Sequence, residues 1–141
     1  MNFQLHPRLA QDCFKIGSLG LSELLMMNDS QYPWLILVPR REAKEIYQLN
    51  AVDRQTLLDE SCLIAQTLQN LYQPDKLNIA AIGNLVPQLH IHHVARYQTD
   101  KAWPAPIWGK LPPCLYSEQQ AQTEISKIQF VLKEQLIEII T

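Results

Sequence analysis

Apolar positions in this chain follow two different periods, and the switches between them mark out the elements. His6-Pro7-Arg8-Leu9-Ala10-Gln11-Asp12 reads as a short helical turn, with Pro7 at a first position where a missing N–H costs nothing. Residues 13–16 form a short apolar stretch that ends at the turn Gly17-Ser18-Leu19-Gly20, whose glycines lack the spacing of a phosphate-binding fingerprint. Residues 21–27 are a second apolar run, broken by Asn28-Asp29-Ser30-Gln31-Tyr32-Pro33. Trp34-Leu35-Ile36-Leu37-Val38 follows, aromatic and β-branched, with Pro33 and Pro39 at the ends where a strand tolerates them. The two runs predict a hairpin.

The period then lengthens. After a polar connection with one helical turn near Ile46 and Tyr47, Asp53 is the expected N-cap of a helix reaching about Tyr72. Leu57, Ser61, Ile64, Leu68 and Leu71 recur at intervals of three and four, and Leu58, Cys62 and Ala65 widen the stripe. Pro74 ends it. Residues 77–82 read as a strand, turned by Gly83-Asn84 into a second strand from about Gln88, antiparallel because the connection is short. Residues 97–113 are irregular and proline-rich. Ser117 and Gln120 then fit a capping box, opening a helix with Ile125, Ile128, Leu132, Leu136 and Ile139 on one stripe. Strands, helix, strands, helix predict a single α+β domain over 1–141: an antiparallel sheet of about five strands, one central helix and a C-terminal helix.

Composition narrows the picture modestly. The chain has 141 residues, 47% of them hydrophobic, enough for a real core, and its net charge of −2 does not suggest a nucleic-acid polymer as partner. Cys13, Cys62 and Cys114 are far apart and odd in number, so they are expected to be small core residues and not a disulfide framework or zinc ribbon. The first residues lack a signal-peptide pattern and no apolar run could span a bilayer, so a cytoplasmic, non-membrane protein is expected.

Three of the four histidines lie within four positions, in Gln88-Leu89-His90-Ile91-His92-His93-Val94-Ala95-Arg96. On a strand, Gln88, His90, His92, Val94 and Arg96 share one face, while Leu89, Ile91, His93 and Ala95 share the other. His93 is therefore expected as a hydrogen-bonded core residue. His90 and His92 can address one phosphate together: a neutral imidazole attacks phosphorus, and a second, when protonated, donates to a phosphate or leaving oxygen. Gln88 adds an amide donor to the row, and Arg96 fits a phosphate or a partner carboxylate equally. A metal-dependent enzyme using His90, His92 and His93 is a competing reading, although no HExxH pattern or cysteine pair accompanies them. Trp34, Trp103 and Trp108 are expected to be packing residues.

The segment Leu85-Val86-Pro87-Gln88-Leu89-His90-Ile91-His92-His93-Val94 resembles the signature of the histidine triad (HIT) family. Gly83-Asn84-Leu85-Val86-Pro87 is similar to the family's lead-in, and Trp34-Leu35-Ile36-Leu37-Val38-Pro39-Arg40 to its apolar strand. The match reads Gln-φ-His-φ-His, with Gln88 in place of the first triad histidine. Two further departures are a shortened loop around Ile82-Gly83-Asn84 and Trp34, where many members carry a histidine.

The resemblance implies a nucleotide hydrolase or nucleotidyltransferase acting at the α-phosphate of a dinucleoside polyphosphate, nucleoside phosphoramidate or similar, through a nucleotidyl-histidine intermediate. His90 falls on the attacking position and His92 on the one against the phosphate and leaving group, with Gln88 an auxiliary donor. Asn28 matches a ribose-holding position and Asn84 a phosphate-contacting one. The resemblance also implies a homodimer built through residues 53–72 and 77–82. No cofactor is required by the sequence; a divalent metal could accompany the nucleotide. With the first imidazole gone, a weakly catalytic or non-catalytic purine nucleotide-binding or sensing protein is the alternative. Residues 102–109 have no counterpart in the signature and are expected to fold back and shape the leaving-group side.

Overall fold

The computed structural model describes residues 2–140. A short helix α1 (Pro7–Asp12) leads into the meander β1 (Cys13–Ser18), β2 (Ser22–Met27) and β3 (Trp34–Pro39). A 3₁₀ turn at Ile46–Gln48 precedes the long helix α2 (Ala51–Tyr72); β4 (Lys76–Ala80) and β5 (Ile91–Arg96) follow, then α3 (Glu118–Val131) and a two-residue strand β6 (Glu138–Ile139). The strands form one antiparallel sheet in the order β4-β5-β3-β2-β1-β6.

The alternation of side chains gives the sheet two unlike faces. On one, Leu24, Met26, Leu35, Leu37 and Ile91 pack against Leu57, Ile64 and Leu68 of α2 and Ala121, Ile125 and Ile128 of α3. Ile64 and Leu68 are fully buried, and each such side chain contributes about 1.5–3 kcal/mol. On the other, Leu25, Trp34, Ile36, Val38 and Val94 are covered by α1, through Leu9, and by irregular segments carrying Phe3, Leu5, Val86, Ala102, Ile107 and Trp108. No helix longer than α1 covers this face among the described residues.

Several boundaries differ from those the sequence predicts. Asn50, not Asp53, caps α2: its side chain accepts from Asp53 N at 2.8 Å, and Asp53 pairs instead with Arg41 at 2.7 Å. Leu58 and Cys62 are exposed, so the buried stripe of α2 is narrower than expected. None of the cysteines is a core residue: Cys62 and Cys114 are exposed and Cys13 is half-buried, its thiol pushed up to about 12 mainly by burial. The sheet has six strands because residues beyond Val131 leave the helix. Ile139 pairs with Gly17, whose backbone lies so close to Glu138 O that a Cβ would have no room.

Candidate active site

β5 lies between β3 and β4, with Ile36 opposite His92 and Trp34 opposite Val94. The ladder begins at Ile91, so Gln88, Leu89 and His90 enter it from an irregular connection. The two-face separation predicted for the histidines holds all the same. His93 lies on the helix face at 0% exposure, and both ring nitrogens are engaged. Nδ1 donates to Ile91 O at 3.1 Å, which leaves Nε2 to accept from the Ser61 hydroxyl of α2 at 2.7 Å. Burial lowers its pKa to about 4. With both nitrogens used and its ring on the opposite face, His93 cannot join His90 and His92 around one metal, and among the described residues no three His, Cys, Asp or Glu groups converge.

His90 and His92 meet on the other face, ring centroids 4.9 Å apart and nearly perpendicular. His90 Nδ1 is 2.8 Å from Gln88 O. A carbonyl can only accept, so Nδ1 carries the proton, and the neutral ring has its lone pair at Nε2. For His92 the polarity reverses. Trp34 Nε1–H donates to His92 Nδ1 at 3.0 Å, so the proton of the neutral ring sits on Nε2. Trp34 reaches it diagonally across the β3–β5 pair. Burial, then the neighbouring His90 and His93, lower the His92 pKa to about 3. One imidazole thus offers a lone pair and its neighbour an N–H donor. His92 is held as a neutral ring with an N–H to offer, not as the protonated one expected from sequence.

Trp34 and Trp108 are more than packing. Trp108 stands edge-on to both His92, at 5.4 Å, and Trp34, at 6.2 Å. Both indoles line a cleft of about 460 Å³ that Asn28, Asp29, Arg8 and Tyr32 also border. Residues 102–109 do fold back towards the histidines. They are held by Arg96, whose guanidinium donates to Asp100 at 2.8 and 3.0 Å, to Asn78 and to Ala105 O. Of the two partners open to Arg96, the structure supplies the carboxylate. The Arg96 hydrogen bonds hold the Asp100 carboxyl down at about 2.

The remaining predicted residues are dispersed. Asn28 lines the cleft, with its Oδ1 accepting from Tyr116 N at 2.9 Å. Asn84 is exposed on the connection before β5, next to Gly83, which shares a small cavity with His90. The Gln88 amide is already engaged at both ends: Oε1 accepts from His6 N at 2.8 Å and Nε2 donates to Gln4 O at 2.9 Å. Sequence reasoning missed the polar role of Trp34, although its standing where many family members carry a histidine was a usable signal. Ser61 and Asp100 gave no comparable signal.

Comparison with known proteins identifies the fold and the family. The family model described as HIT domain matches residues 8–99. A histidine triad protein of Marinobacter aquaeolei VT8 is 48% identical, with 94% of this chain and 98% of that one covered and a TM-score of 0.91. Another, from Bradyrhizobium japonicum, is 42% identical over 96% and 99%, with a TM-score of 0.89. A diadenosine triphosphate hydrolase of Plasmodium falciparum, 18% identical over 87% and 86%, shares the fold with a TM-score of 0.60. A comparison with curated proteins finds no match. With a HIT domain matched over most of the chain and relatives this similar over nearly all of it, the protein belongs to the histidine triad (HIT) family and is a catalytic protein of the HIT type.

Proposed function

We propose that the chain cleaves a nucleotide at its α-phosphate, with His90 as nucleophile and His92 as hydrogen-bond donor to the phosphate and leaving oxygens. The observation that carries this reading is the opposite polarity of the two adjacent rings, fixed by Gln88 O on one and Trp34 Nε1–H on the other. His90 Nε2 attacks phosphorus as the bond to the leaving oxygen breaks, and that oxygen departs with the electron pair. The phosphorylated imidazolium keeps its Nδ1–H on Gln88 O. Water then attacks phosphorus, Nε2 recovers its pair, and a nucleoside monophosphate and a proton are released. Asn28 borders the cleft as a ribose ligand, and Asn84 approaches the phosphates from the connection before β5. A diadenosine triphosphate hydrolase among proteins of this fold makes a dinucleoside polyphosphate a natural first substrate.

The low basicity of His92 favours one leaving group over another. A phosphate or nucleotide leaves as an anion and needs only a hydrogen bond, whereas an amine needs a transferred proton, which the neutral His92 with its single Nε2–H does not give up. Phosphoanhydrides are therefore the proposed substrates, ahead of phosphoramidates. The absence of an acid also favours the second reading, a nucleotide-binding or sensing protein with slow turnover. Incubation with diadenosine triphosphate labelled in its adenosine should leave a labelled, acid-labile adduct that vanishes in His90→Ala. Tight binding with neither adduct nor turnover would leave the sensing reading in its place.

The proposed assembly is a homodimer through β4 and α2. β4 is an edge strand with unpaired backbone groups, and Ile79, Ile82, Val52 and Leu58 expose apolar side chains on these elements and the turn after β4. Sedimentation of the intact chain at twice the protomer mass is the expected result, and a concentration-independent monomer would exclude it.

A further inference from the structure

Gln88 is the residue by which the triad departs from its family's pattern, and its side chain has an unusual set of partners. The amide takes Gln4 O and His6 N, the two groups that flank Leu5. A residue in a parallel strand pairs with its neighbour in this way, bonding to the residues before and after the one it faces. The side-chain amide thus imitates a peptide group and fastens the N-terminal segment as a strand would. An imidazole could not do the same, because its two nitrogens point away from each other across the ring, while an amide's oxygen and N–H lie on one carbon.

The segment so fastened is part of the cleft. Phe3 and Leu5 pack against the open-face cluster, Leu9 is buried within it, and Arg8, Gln11 and Asp12 of α1 form one side of the cleft that Trp34 and Trp108 also line. Arg8 is half-exposed there, in an ion pair with Asp12 at 3.0 Å. The main chain of the same Gln88 holds Nδ1 of His90. One residue therefore binds the nucleophile with its carbonyl and the cleft wall with its amide.

We propose that residues 3–12 are a built-in wall of the nucleotide cleft and that Gln88 is the positioning residue that latches this wall to His90, the glutamine being required by the latch and not by the chemistry. The proposal rests on the nucleotide-cleaving reading for the ligand, but not for the latch. Its test uses the full-length chain. Gln88→Ala removes the amide. His6→Pro removes the partner N–H together with the imidazole, at a residue whose φ of −54° suits proline. His6→Ala is the control: it deletes the imidazole that caps α1 and keeps the N–H.

Two readouts are needed. Hydrogen exchange at the His6 amide should be slow in the wild type and at least about tenfold faster in Gln88→Ala. An unchanged rate overturns the latch, and this result stands whether or not any nucleotide binds. AMP binding, followed by calorimetry, should weaken by about tenfold in Gln88→Ala and similarly in His6→Pro. The double variant should be no weaker than either single one, because both break the same connection. His6→Ala should retain more of the affinity than His6→Pro. Independent, multiplying losses, or a Gln88→Ala chain that binds AMP normally and loses only turnover, would make the amide a donor to substrate and overturn the proposal.

Discussion

His92 and His93 are adjacent in sequence, both buried and both less basic than an ordinary histidine, yet they do different things. His93 faces α2 and spends both nitrogens inside the protein, on Ile91 O and Ser61. His92 faces the thinly covered side and spends one, on Trp34, leaving Nε2–H free to act. Burial and a depressed pKa therefore do not distinguish an imidazole with a nitrogen to spare from a fully bonded one here. The number of nitrogens left over does. An imidazole with both nitrogens bonded inside the protein has no atom left for a ligand, whereas His92 keeps one.

The contrast is broken most sharply by truncating each ring in turn. His92→Ala should lower turnover of a dinucleoside polyphosphate by about 10³-fold and destabilise by about 2 kcal/mol, because it leaves a cavity and the Trp34 N–H without its acceptor. His93→Ala should destabilise by about 3 kcal/mol, through a cavity and an orphaned Ser61 hydroxyl, and leave the turnover of the folded fraction within about tenfold. Urea denaturation and steady-state kinetics on the same preparations read both, and matching profiles for the two variants would erase the distinction.

A finer test removes only the hydrogen bond that sets the His92 tautomer. Trp34→Phe keeps an aromatic ring and deletes the N–H that Nδ1 accepts. That bond favours the neutral imidazole, so its loss should raise the His92 pKa from about 3, and turnover should fall by about 10–100-fold. Nitrogen chemical shifts of His92 across a pH titration check the first expectation. An unchanged titration with full activity would show that packing alone orients the ring.

The smallest effect separates the rings by pH. Both histidines have folded pKa values below the unfolded value of about 6.5, so the unfolded chain takes up protons first as pH falls. Their stabilising contribution is complete above about pH 6.5 and drains away towards about 4 for His93 and about 3 for His92, each with a slope of about 1.4 kcal/mol per pH unit. Asp100 acts lower, losing its contribution between about pH 4 and about 2. His93→Leu should flatten the curve between pH 6.5 and 4 and leave the Asp100 region intact. Chemical denaturation at half-unit pH steps would reveal it, and an unaltered slope above pH 4 would remove His93 from the account.

What the chain's pattern could and could not reveal follows from the range of the interactions involved. The two faces of β5 were readable because a period of two is local, and so was the capping box at Ser117 and Gln120. The cap of α2 was misread because Asn50 and Asp53 are both good capping residues, and only the pairing of Asp53 with Arg41 decides between them. Ile139 continued the helical stripe in sequence, but the helix gives way after Val131 and the chain pairs with Gly17, more than a hundred positions earlier. Gln88 belonged to the row by parity, yet its amide answers to Gln4 and His6, which no local period announces. The site was readable as far as its rings, and opaque where distant backbone decides what each ring or amide is bonded to.

The pairing of β3 with β5 carries a consequence for how the molecule comes into being. β1, β2 and β3 are joined by short turns and can zip in sequence, whereas Trp34 meets Val94 across a span that contains the whole of α2. Closing so long a span delays that ladder relative to the local hairpins. His92 receives its hydrogen bond from Trp34 only when the ladder is in register. A one-residue slip would turn His93 to the face that carries Trp34 and bury His92 against the helices. The hydrogen bond from Trp34 to His92 is therefore expected to form late in folding, and protection of the Trp34 indole N–H in a refolding chain would time the arrival of β5.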